Sequence, residues 1–350
     1  MTNVRKNFLL LAGSVVFSLF LAEIVVRIFI PQETKRLAIY DKELGWRGEP
    51  NGSGRYIRFE DSIDVPFSYN ELGFRDYAIP PRDQVSRRIV LLGDSFVENL
   101  ELSFEKTFPY LLERQLQTSV DKRLDVVSVC SQGYSTAQEV LALRKFGDAI
   151  KPDAVLLAFY TGNDFEDNLR KSFAYLDSAG VLVFPPNTDS WLKVQSASFQ
   201  RWLYENSYLV FFIKNYLASK AALEMKDASK AAGNESKQYE FDVTKKLILA
   251  AKDETEKRGA KFGLVLFTSR KEVEDGTLEK PDFVATVCRE SGIPFIDSRD
   301  FLEVHHFFKH DIHFVEKGHE VVAEKIHAFL TTQFLHTFAG RHTHNEQPAP

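Results

Sequence analysis

Four short motifs contain the residue types that acyl-transfer chemistry requires. They are Gly93-Asp94-Ser95-Phe96, Gly133 in the run CSQGYST, Gly162-Asn163-Asp164, and Asp311-Ile312-His313. A serine hydroxyl is a weak nucleophile and needs an adjacent base, which a histidine supplies near neutral pH. A carboxylate beside that histidine holds its tautomer, while a glycine N–H and an asparagine amide can donate to an oxyanion. Each motif taken alone is also an ordinary turn.

The positions of these motifs relative to the predicted strands favour a common site. After Arg88, short apolar runs alternate with amphipathic stretches, which is typical of βαβ units and a parallel sheet. We expect strands at 88–95, 124–130, 154–161, 262–268 and 294–297. The first three motifs lie where the first three strands end, and the fourth follows the last strand. Ligands bind outside the carboxyl ends of strands in open parallel sheets, so the four motifs are predicted to converge.

Together the motifs GDSF, QGYST, GND and DIH, with the GH that follows, resemble the four conserved blocks of the SGNH (GDSL-type) hydrolase superfamily. The similarity covers about residues 88–330 and is interrupted at 165–239. The resemblance implies an α/β fold class: a flavodoxin-like three-layer α/β/α sandwich with about five parallel strands. It also implies that neither a metal nor an organic cofactor is needed.

Carried over to this chain, the resemblance implies a role for each motif. Ser95 would be the nucleophile, His313 the base and Asp311 the residue that orients the histidine. The oxyanion hole would consist of the N–H groups of Ser95 and Gly133 and the amide of Asn163. The superfamily's last block is usually Asp-x-x-His, whereas this chain has Asp-x-His. Relatives that acetylate exopolysaccharides share the shorter spacing, so it is compatible with activity and leaves the orienting carboxylate less determined.

An apolar run at 8–30, preceded by Arg5 and Lys6, predicts an N-terminal membrane helix. Glu23 and Arg27 are four residues apart and can pair on one helix face near an interface. An uncleaved anchor is favoured, because no A-x-A cleavage pattern follows the run. A cleaved signal peptide and a buried amphipathic helix stay open as alternatives.

The basic residues before the run favour a cytoplasmic N-terminus, although Arg27, Lys35 and Arg36 on the other flank oppose it. We therefore expect a membrane-anchored protein whose catalytic domain is extracytoplasmic, in the periplasm or at the cell surface.

Composition along the chain predicts four segments. These are an anchor and its flank at 1–36, a small β-rich segment at 37–87 that packs on the main domain, a hydrolase domain at 88–335 with an insertion at 165–239, and a disordered tail at 336–350. The motifs GWR and YNELGFRD in the second segment resemble membrane-anchored bacterial members of the superfamily. The net charge of −5 favours no binding to nucleic acid.

The predicted function is a serine esterase or acylhydrolase that forms an acyl-serine intermediate, with an acyl ester of a cell-envelope glycan or lipid as substrate. An O-acyltransferase for cell-surface polysaccharide would use the same residues and stays open. An inactive membrane-anchored binding or assembly protein is an alternative from another class. A metal-dependent hydrolase is a further alternative, because histidines cluster near the C-terminus. The candidate metal ligands are His305, His306, His310, His313 and His319.

Overall fold

A computed structural model describes residues 3–30, 38–59, 61–186, 188–217, 220 and 234–335. The tail predicted to be disordered, at 336–350, lies outside the described residues. Most of the charged, alanine-rich stretch at 224–237, within the predicted insertion, lies outside them as well.

The helices and strands follow the chain in this order. The strands are β1 (Ala38–Asp41), β2 (Gly45–Gly48), β3 (Ser53–Arg58), β4 (Ile63–Ser68), β5 (Arg87–Gly93), β6 (Leu124–Cys130), β7 (Ala154–Tyr160), β8 (Tyr175–Leu176), β9 (Leu182–Val183), β10 (Lys261–Phe267) and β11 (Phe295–Asp297). The helices are α1 (Asn3–Phe29), α2 (Ser95–Glu98), α3 (Phe108–Ser119), α4 (Thr136–Ile150), α5 (Asp164–Asp167), α6 (Trp191–Asn206), α7 (208–217), α8 (Asn234–Glu256), α9 (Arg270–Asp275), α10 (Glu279–Glu290) and α11 (Glu316–Leu330).

The central sheet consists of five parallel strands in the spatial order β11-β10-β7-β5-β6. Numbered along the chain, this is the 2-1-3-4-5 order of a doubly wound sheet. The first strand, β5, pairs with β6 on one side and β7 on the other, so the chain reverses its direction of winding there. The predicted α/β fold with about five parallel strands is confirmed.

Helices cover both faces of this sheet, which gives three layers. Val90 and Leu92 of β5 point into one apolar core, which α4, α8 and α10 complete. Ile89 and Leu91 alternate with them and point into a second core beneath α3 and α11. Because β5, β6 and β7 are buried on both faces, their sequences are almost continuously apolar.

Two antiparallel hairpins, β1–β2 and β3–β4, precede the sheet. The first is tied to α4, where the Gln138 amide donates to the carbonyl oxygen of Leu44 at 2.7 Å. After the second, the buried Arg75 guanidinium donates to the carbonyl oxygens of Glu98 and Leu102, at 3.2 and 2.6 Å. The YNELGFRD motif thus fixes the loop that follows α2.

Between β7 and α8 the chain forms α5, the short β8–β9 hairpin and the helices α6 and α7. Helix α8 begins at Asn234, inside the segment predicted as the insertion. Its first turns are polar, and residues 236–238 are exposed, so apolar periodicity in the sequence does not reveal them.

Helix α1 has the length and composition of a membrane span: Val4–Phe29 has a mean hydropathy of 2.4 in its most apolar window, of which 6% is buried. Residues 4–21 are exposed on every side. The last turns contact the rest of the chain, and there Val26 is buried. A signal sequence passes the same test of length and hydropathy.

Candidate active site

Ser95 begins α2 immediately after β5, at the carboxyl edge of the sheet where the winding reverses. The Asp94 carboxylate caps this helix by accepting the N–H of Phe96 at 2.9 Å. Gly93 allows the sharp turn, because a Cβ there would lie 2.3 Å from Cγ2 of Val97. The turn leaves Ser95 partly exposed while its neighbours are buried. Its hydroxyl is therefore held at the surface of the sheet edge.

His313 lies beside this serine, with its Nε2 atom 2.8 Å from the Ser95 Oγ. Its ring packs 4.9 Å from that of Phe96, measured between centroids, and the residue is 7% exposed. The loop that carries it is closed by a bridge between Phe307 and Phe314, and the Phe308 N–H donates to the carbonyl of His313 at 2.9 Å. The histidine is thus fixed from both sides of its loop.

The Asp311 carboxylate holds the other side of the imidazole. It pairs with Nδ1 of His313 and also accepts the backbone N–H of that residue at 2.8 Å. Because Asp311 and His313 are two residues apart, one oxygen of the carboxylate reaches both the ring nitrogen and the backbone N–H of His313. The structure therefore places Ser95, His313 and Asp311 in one hydrogen-bonded chain. The short Asp-x-His spacing alone leaves the orienting carboxylate less determined.

Two residues that the sequence did not single out complete this cluster. The Arg58 guanidinium, at the end of β3, forms an ion pair with Asp311. A second carboxylate, Glu101, places Oε1 3.2 Å from Nδ1 of His313. Glu101 is 1% exposed, and neither of its oxygens has a hydrogen-bond partner among the described residues. The imidazole therefore faces two buried carboxylates, one of which is paired with a cation.

The candidate oxyanion donors lie at the ends of the neighbouring strands. Gly133 follows β6 and has a φ of +72°, a conformation that favours glycine. Its carbonyl accepts a hydrogen bond from Arg170 at 2.6 Å, which orients the peptide. Asn163 follows β7, and its amide donates to the carboxylates of Asp94 and Asp167, both at 3.0 Å. The amide can serve an oxyanion only if it exchanges one of these acceptors.

Several buried acids surround these donors. Burial raises the pKa of Asp167 to about 6, against the opposing effect of Arg170. Burial raises the pKa of Asp94 as well, and burial with repulsion from Asp94 raises those of Glu139 and Asp164 well above the usual range. These buried acids therefore carry less negative charge at neutral pH than their number suggests.

A cavity of about 790 Å³ adjoins the site. Gly133 and Arg58 line it beside the catalytic cluster, and Trp46 and Tyr56 of the hairpins line its walls. Its far side is lined by residues of α6 and α7: Ala197, Gln200, Arg201, Tyr204, Glu205, Phe211, Lys214 and Asn215. The cavity is therefore enclosed by three separate parts of the chain.

The five histidines considered as metal ligands form no common group among the described residues. Among the described residues, one group of three could hold a metal ion, and it consists of Glu101, Asp311 and His313. His319 lies apart from this group: it is fully buried, and its Nδ1 accepts the N–H of Phe108 at 3.1 Å. A cation between the two carboxylates would lie beside the Arg58 guanidinium, which disfavours it electrostatically.

Sequence reasoning could not have found Arg58 or Glu101. Arg58 lies in a polar strand that contains another arginine, Arg55, with no difference between them in residue type. Glu101 lies in the run FVENLEL, where the apolar neighbours indicate burial but not its approach to a histidine 212 positions later. Both residues depend on how the hairpins pack on the sheet.

No protein-family model and no curated protein matches the chain. Among solved structures, it is similar to an acetyl xylan esterase, at 15% identity and a TM-score of 0.42 over 69% of this chain and 98% of the other. A psychrotrophic esterase from Pseudoalteromonas sp. is similar at 10% identity and a TM-score of 0.43 over 70% and 97%. A lipolytic protein of the G-D-S-L family from Desulfitobacterium hafniense is similar at 13% identity and a TM-score of 0.42 over 70% and 100%. Identities this low and TM-scores below 0.5 assign no activity, which therefore depends on the geometry of this chain's own side chains.

Proposed function

We propose that this chain is a serine ester hydrolase of the SGNH class, which cleaves an acyl ester through a covalent acyl–Ser95 intermediate. The observation that carries the proposal is the contact of 2.8 Å between Ser95 Oγ and His313 Nε2, with Asp311 on the opposite ring nitrogen. Nucleophile, base and orienting carboxylate are the arrangement that acyl transfer requires.

In the first half-reaction, Ser95 Oγ adds to the ester carbonyl carbon while its proton passes to Nε2 of His313. The tetrahedral intermediate carries its negative charge on the former carbonyl oxygen. When this intermediate collapses, the bond to the alcohol oxygen breaks, and that oxygen takes the proton from Nε2. Water repeats the sequence on the acyl-serine and releases the carboxylic acid and the free serine.

The oxyanion would be held by the N–H groups of Ser95 and Gly133 and by the amide of Asn163. Such donors act where charge develops, and removal of one of them typically costs ~10²–10³ in turnover. The Asn163 amide becomes available when its hydrogen bond to Asp167 is released. Protonation of Asp167, whose pKa is about 6, would weaken that competing hydrogen bond.

The composition of the cavity favours an acyl ester on a polyhydroxylated compound, such as a cell-envelope glycan. Trp46 and Tyr56 offer flat apolar surfaces, and Gln132 and Arg170 offer polar groups in the same wall. The volume of about 790 Å³ exceeds what a short acyl group alone would fill.

That volume also supports a second candidate, an O-acyltransferase. An acceptor sugar hydroxyl in the cavity would take the place of water in the second half-reaction. The two activities differ in their products, so an acyl-ester donor should be incubated with the protein with and without an oligosaccharide acceptor. Acylated oligosaccharide identifies the transferase, and free acid alone identifies the hydrolase.

We further propose that α1 remains as a membrane anchor and that the catalytic domain lies on the extracytoplasmic side. Exposure of the mostly apolar residues 8–21 on every side supports a bilayer as their surroundings. In addition, Glu23 near the end of α1 bonds to the domain itself, which a discarded signal sequence would not need.

The test is covalent labelling of the full-length chain, in detergent micelles, with a fluorophosphonate. We expect one adduct on Ser95 by mass spectrometry, no adduct in Ser95→Ala and a greatly reduced rate in His313→Ala. The exposed His310, three residues earlier in the chain, provides the matched control, and His310→Ala should label like the wild type.

A folded wild-type chain that forms no adduct would contradict the proposal and favour the inactive binding or assembly protein. Ester hydrolysis that persists in Ser95→Ala and is lost on chelation would instead support a metal-dependent hydrolase.

A further inference from the structure

The two helices of the insertion each turn one face toward the cavity. On α6, the residues that line the cavity recur at helical spacing and so share one side: Ala197, Gln200, Arg201, Tyr204 and Glu205. On α7 the same holds for Phe211, Lys214 and Asn215. Arg201 also pairs with Glu49 at 2.5 Å, which ties α6 to the β1–β2 region. The helices thus form a roof over the cavity.

The opposite faces of this roof expose several large apolar residues, beside the polar Gln195 and Asn206 of α6. On α6 the exposed residues are Leu192, Phe199 and Trp202, at 70%, 60% and 55%. On α7 they are Phe212, Ile213, Tyr216 and Leu217, at 38%, 46%, 63% and 56%. At 100° per residue, each set lies on the side of its helix away from the cavity. A roof in contact with water would have the opposite polarity, with its charged residues outside.

Helix α1 is joined to this roof at the turn between α6 and α7. The Glu23 carboxylate accepts the hydroxyl of Ser207 at 2.8 Å and the N–H groups of Tyr208 and Leu209, both at 2.9 Å. It thereby caps the N-terminus of α7, whose first N–H groups lack partners within the helix. The Arg27 guanidinium lies 4.5 Å from the centre of the Tyr208 ring. The exposed apolar surface of α1 and that of the roof are therefore parts of one connected unit.

We propose that the outer face of α6 and α7 lies in the interfacial region of the bilayer that α1 crosses. This inference rests on the proposed anchoring by α1. Aromatic residues with a polar edge, such as Trp202 and Tyr216, concentrate at the membrane–water interface. An amphipathic helix with aliphatic and aromatic residues on one face lies in the plane of that interface. Because Glu23 is polar, it marks where α1 leaves the acyl region, and α7 begins at that level.

The consequence for the enzyme is a cavity held against the membrane. Its roof is one helix thick, about 10 Å. An acyl ester carried by a membrane lipid, or by a glycan attached to one, would then need little displacement from the bilayer to reach Gly133 and Ser95.

Trp202 offers a direct measurement, because the chain contains three tryptophans. With Trp46→Phe and Trp191→Phe, the full-length chain retains Trp202 alone as its emitting indole. The protein is reconstituted into phosphatidylcholine vesicles with and without bromine on the upper part of the acyl chains. We expect brominated lipid to lower the emission of Trp202 roughly twofold or more, since the indole would lie among the acyl chains.

The matched control places the indole at the opposite edge of the sheet. Val120 is 45% exposed after α3, just before the amino end of β6. Val120→Trp in a chain without the native tryptophans should emit equally in both kinds of vesicle.

Flotation of the vesicles separates the two proposals. A chain that floats with the vesicles and shows no quenching of Trp202 overturns the docking of the roof and leaves the anchor standing. Blue-shifted emission without quenching would also overturn it and would point to a second copy of the chain on this face. A chain that does not float contradicts the anchor as well.

Discussion

Two carboxylates and one guanidinium surround the Nδ1 side of His313. Asp311 accepts from the ring and from the backbone, and Arg58 is paired with Asp311. Glu101 lies 3.2 Å from the same ring nitrogen without a hydrogen-bonding partner of its own among the described residues. Arg58 therefore holds the carboxylate that in turn orients the imidazole.

We expect Arg58→Met to destabilise the fold by about 3 kcal/mol, since the buried Asp311 carboxylate then lacks its cation. Turnover should fall as well, because Asp311 is no longer held in place against the ring of His313. The measurements are urea unfolding in detergent micelles and hydrolysis of a chromogenic acetyl ester.

Arg55→Met is the control on the same strand, because Arg55 pairs with Asp64 in solvent, at 2.9 Å. Its stability and its turnover should equal those of the wild type. Equal losses in Arg55→Met and Arg58→Met would show that the ion pair with Asp311 has no particular role.

For single residues, the sequence identifies candidate catalytic groups only where their motif directly follows a strand. Ser95, Gly133 and Asn163 follow β5, β6 and β7, so one topological rule predicted that they converge. Arg58 follows no such rule, because its approach to Asp311 depends on the packing of a separate hairpin.

Among the elements, the strands of the central sheet were the easiest to predict. The run Leu124–Cys130 was expected as a strand and is one with the same bounds, because burial on both faces makes most of its residues apolar. The start of α8 falls inside the segment predicted as the insertion, since an exposed polar helical turn has no apolar periodicity. The pairing order of the strands cannot be derived from their composition, and it came from the resemblance to a known fold.

The contact between α11 and α3 depends on a histidine that the catalytic site does not use. His319 of α11 accepts the N–H of Phe108, which begins α3 and has no partner within that helix. Burial, with smaller effects of His313 and Arg75, lowers the pKa of His319 to about 3. Its neutral form is therefore the form that holds the two helices together.

Because the folded pKa lies below the unfolded value of 6.5, this histidine binds fewer protons in the folded state. Its contribution to stability is complete above pH 6.5 and is lost progressively as pH falls toward 3. Between pH 7 and 4 the wild type should lose about 3 kcal/mol more of its unfolding free energy than His319→Asn, which retains an acceptor but does not titrate. Urea unfolding in detergent micelles at several pH values measures this difference.

His327→Asn, two turns further along α11, serves as the control and should keep the wild-type dependence on pH. Equal pH slopes in the wild type and His319→Asn would contradict a buried neutral histidine.

In the molecule as a whole, two segments outside the βαβ units help to enclose the site: the N-terminal hairpins and the insertion. The hairpins supply Arg58 and Trp46, and the insertion supplies the roof of the cavity. Both segments were predicted from composition along the chain, but composition does not reveal which of their residues lie at the site. The side of the membrane on which this assembly lies is also a property of the whole molecule.

Both native cysteines suit a test of that orientation. Cys130 and Cys288 are buried, and burial raises the pKa of both thiols, that of Cys288 to about 12. They should therefore react poorly with maleimides. Thr118→Cys introduces one thiol on the exposed side of α3. We expect a membrane-impermeant maleimide to label it in intact spheroplasts.

The wild type gives the background, and lysed spheroplasts give the full extent of labelling. Labelling of Thr118→Cys only after lysis would place the domain in the cytoplasm.

The triad joins distant parts of the chain: Ser95 and His313 are 218 positions apart, and Arg58 and Asp311 are 253 apart. Chains are synthesised from the N-terminus, and early segments can fold before later ones exist. The proposed nucleophile, Ser95, is therefore made long before its proposed base, and its hydroxyl has no imidazole beside it until the loop that carries His313 is in place. A polypeptide still being synthesised would carry no activated serine, so the proposed acyl chemistry would begin only after nearly all of the sheet domain exists.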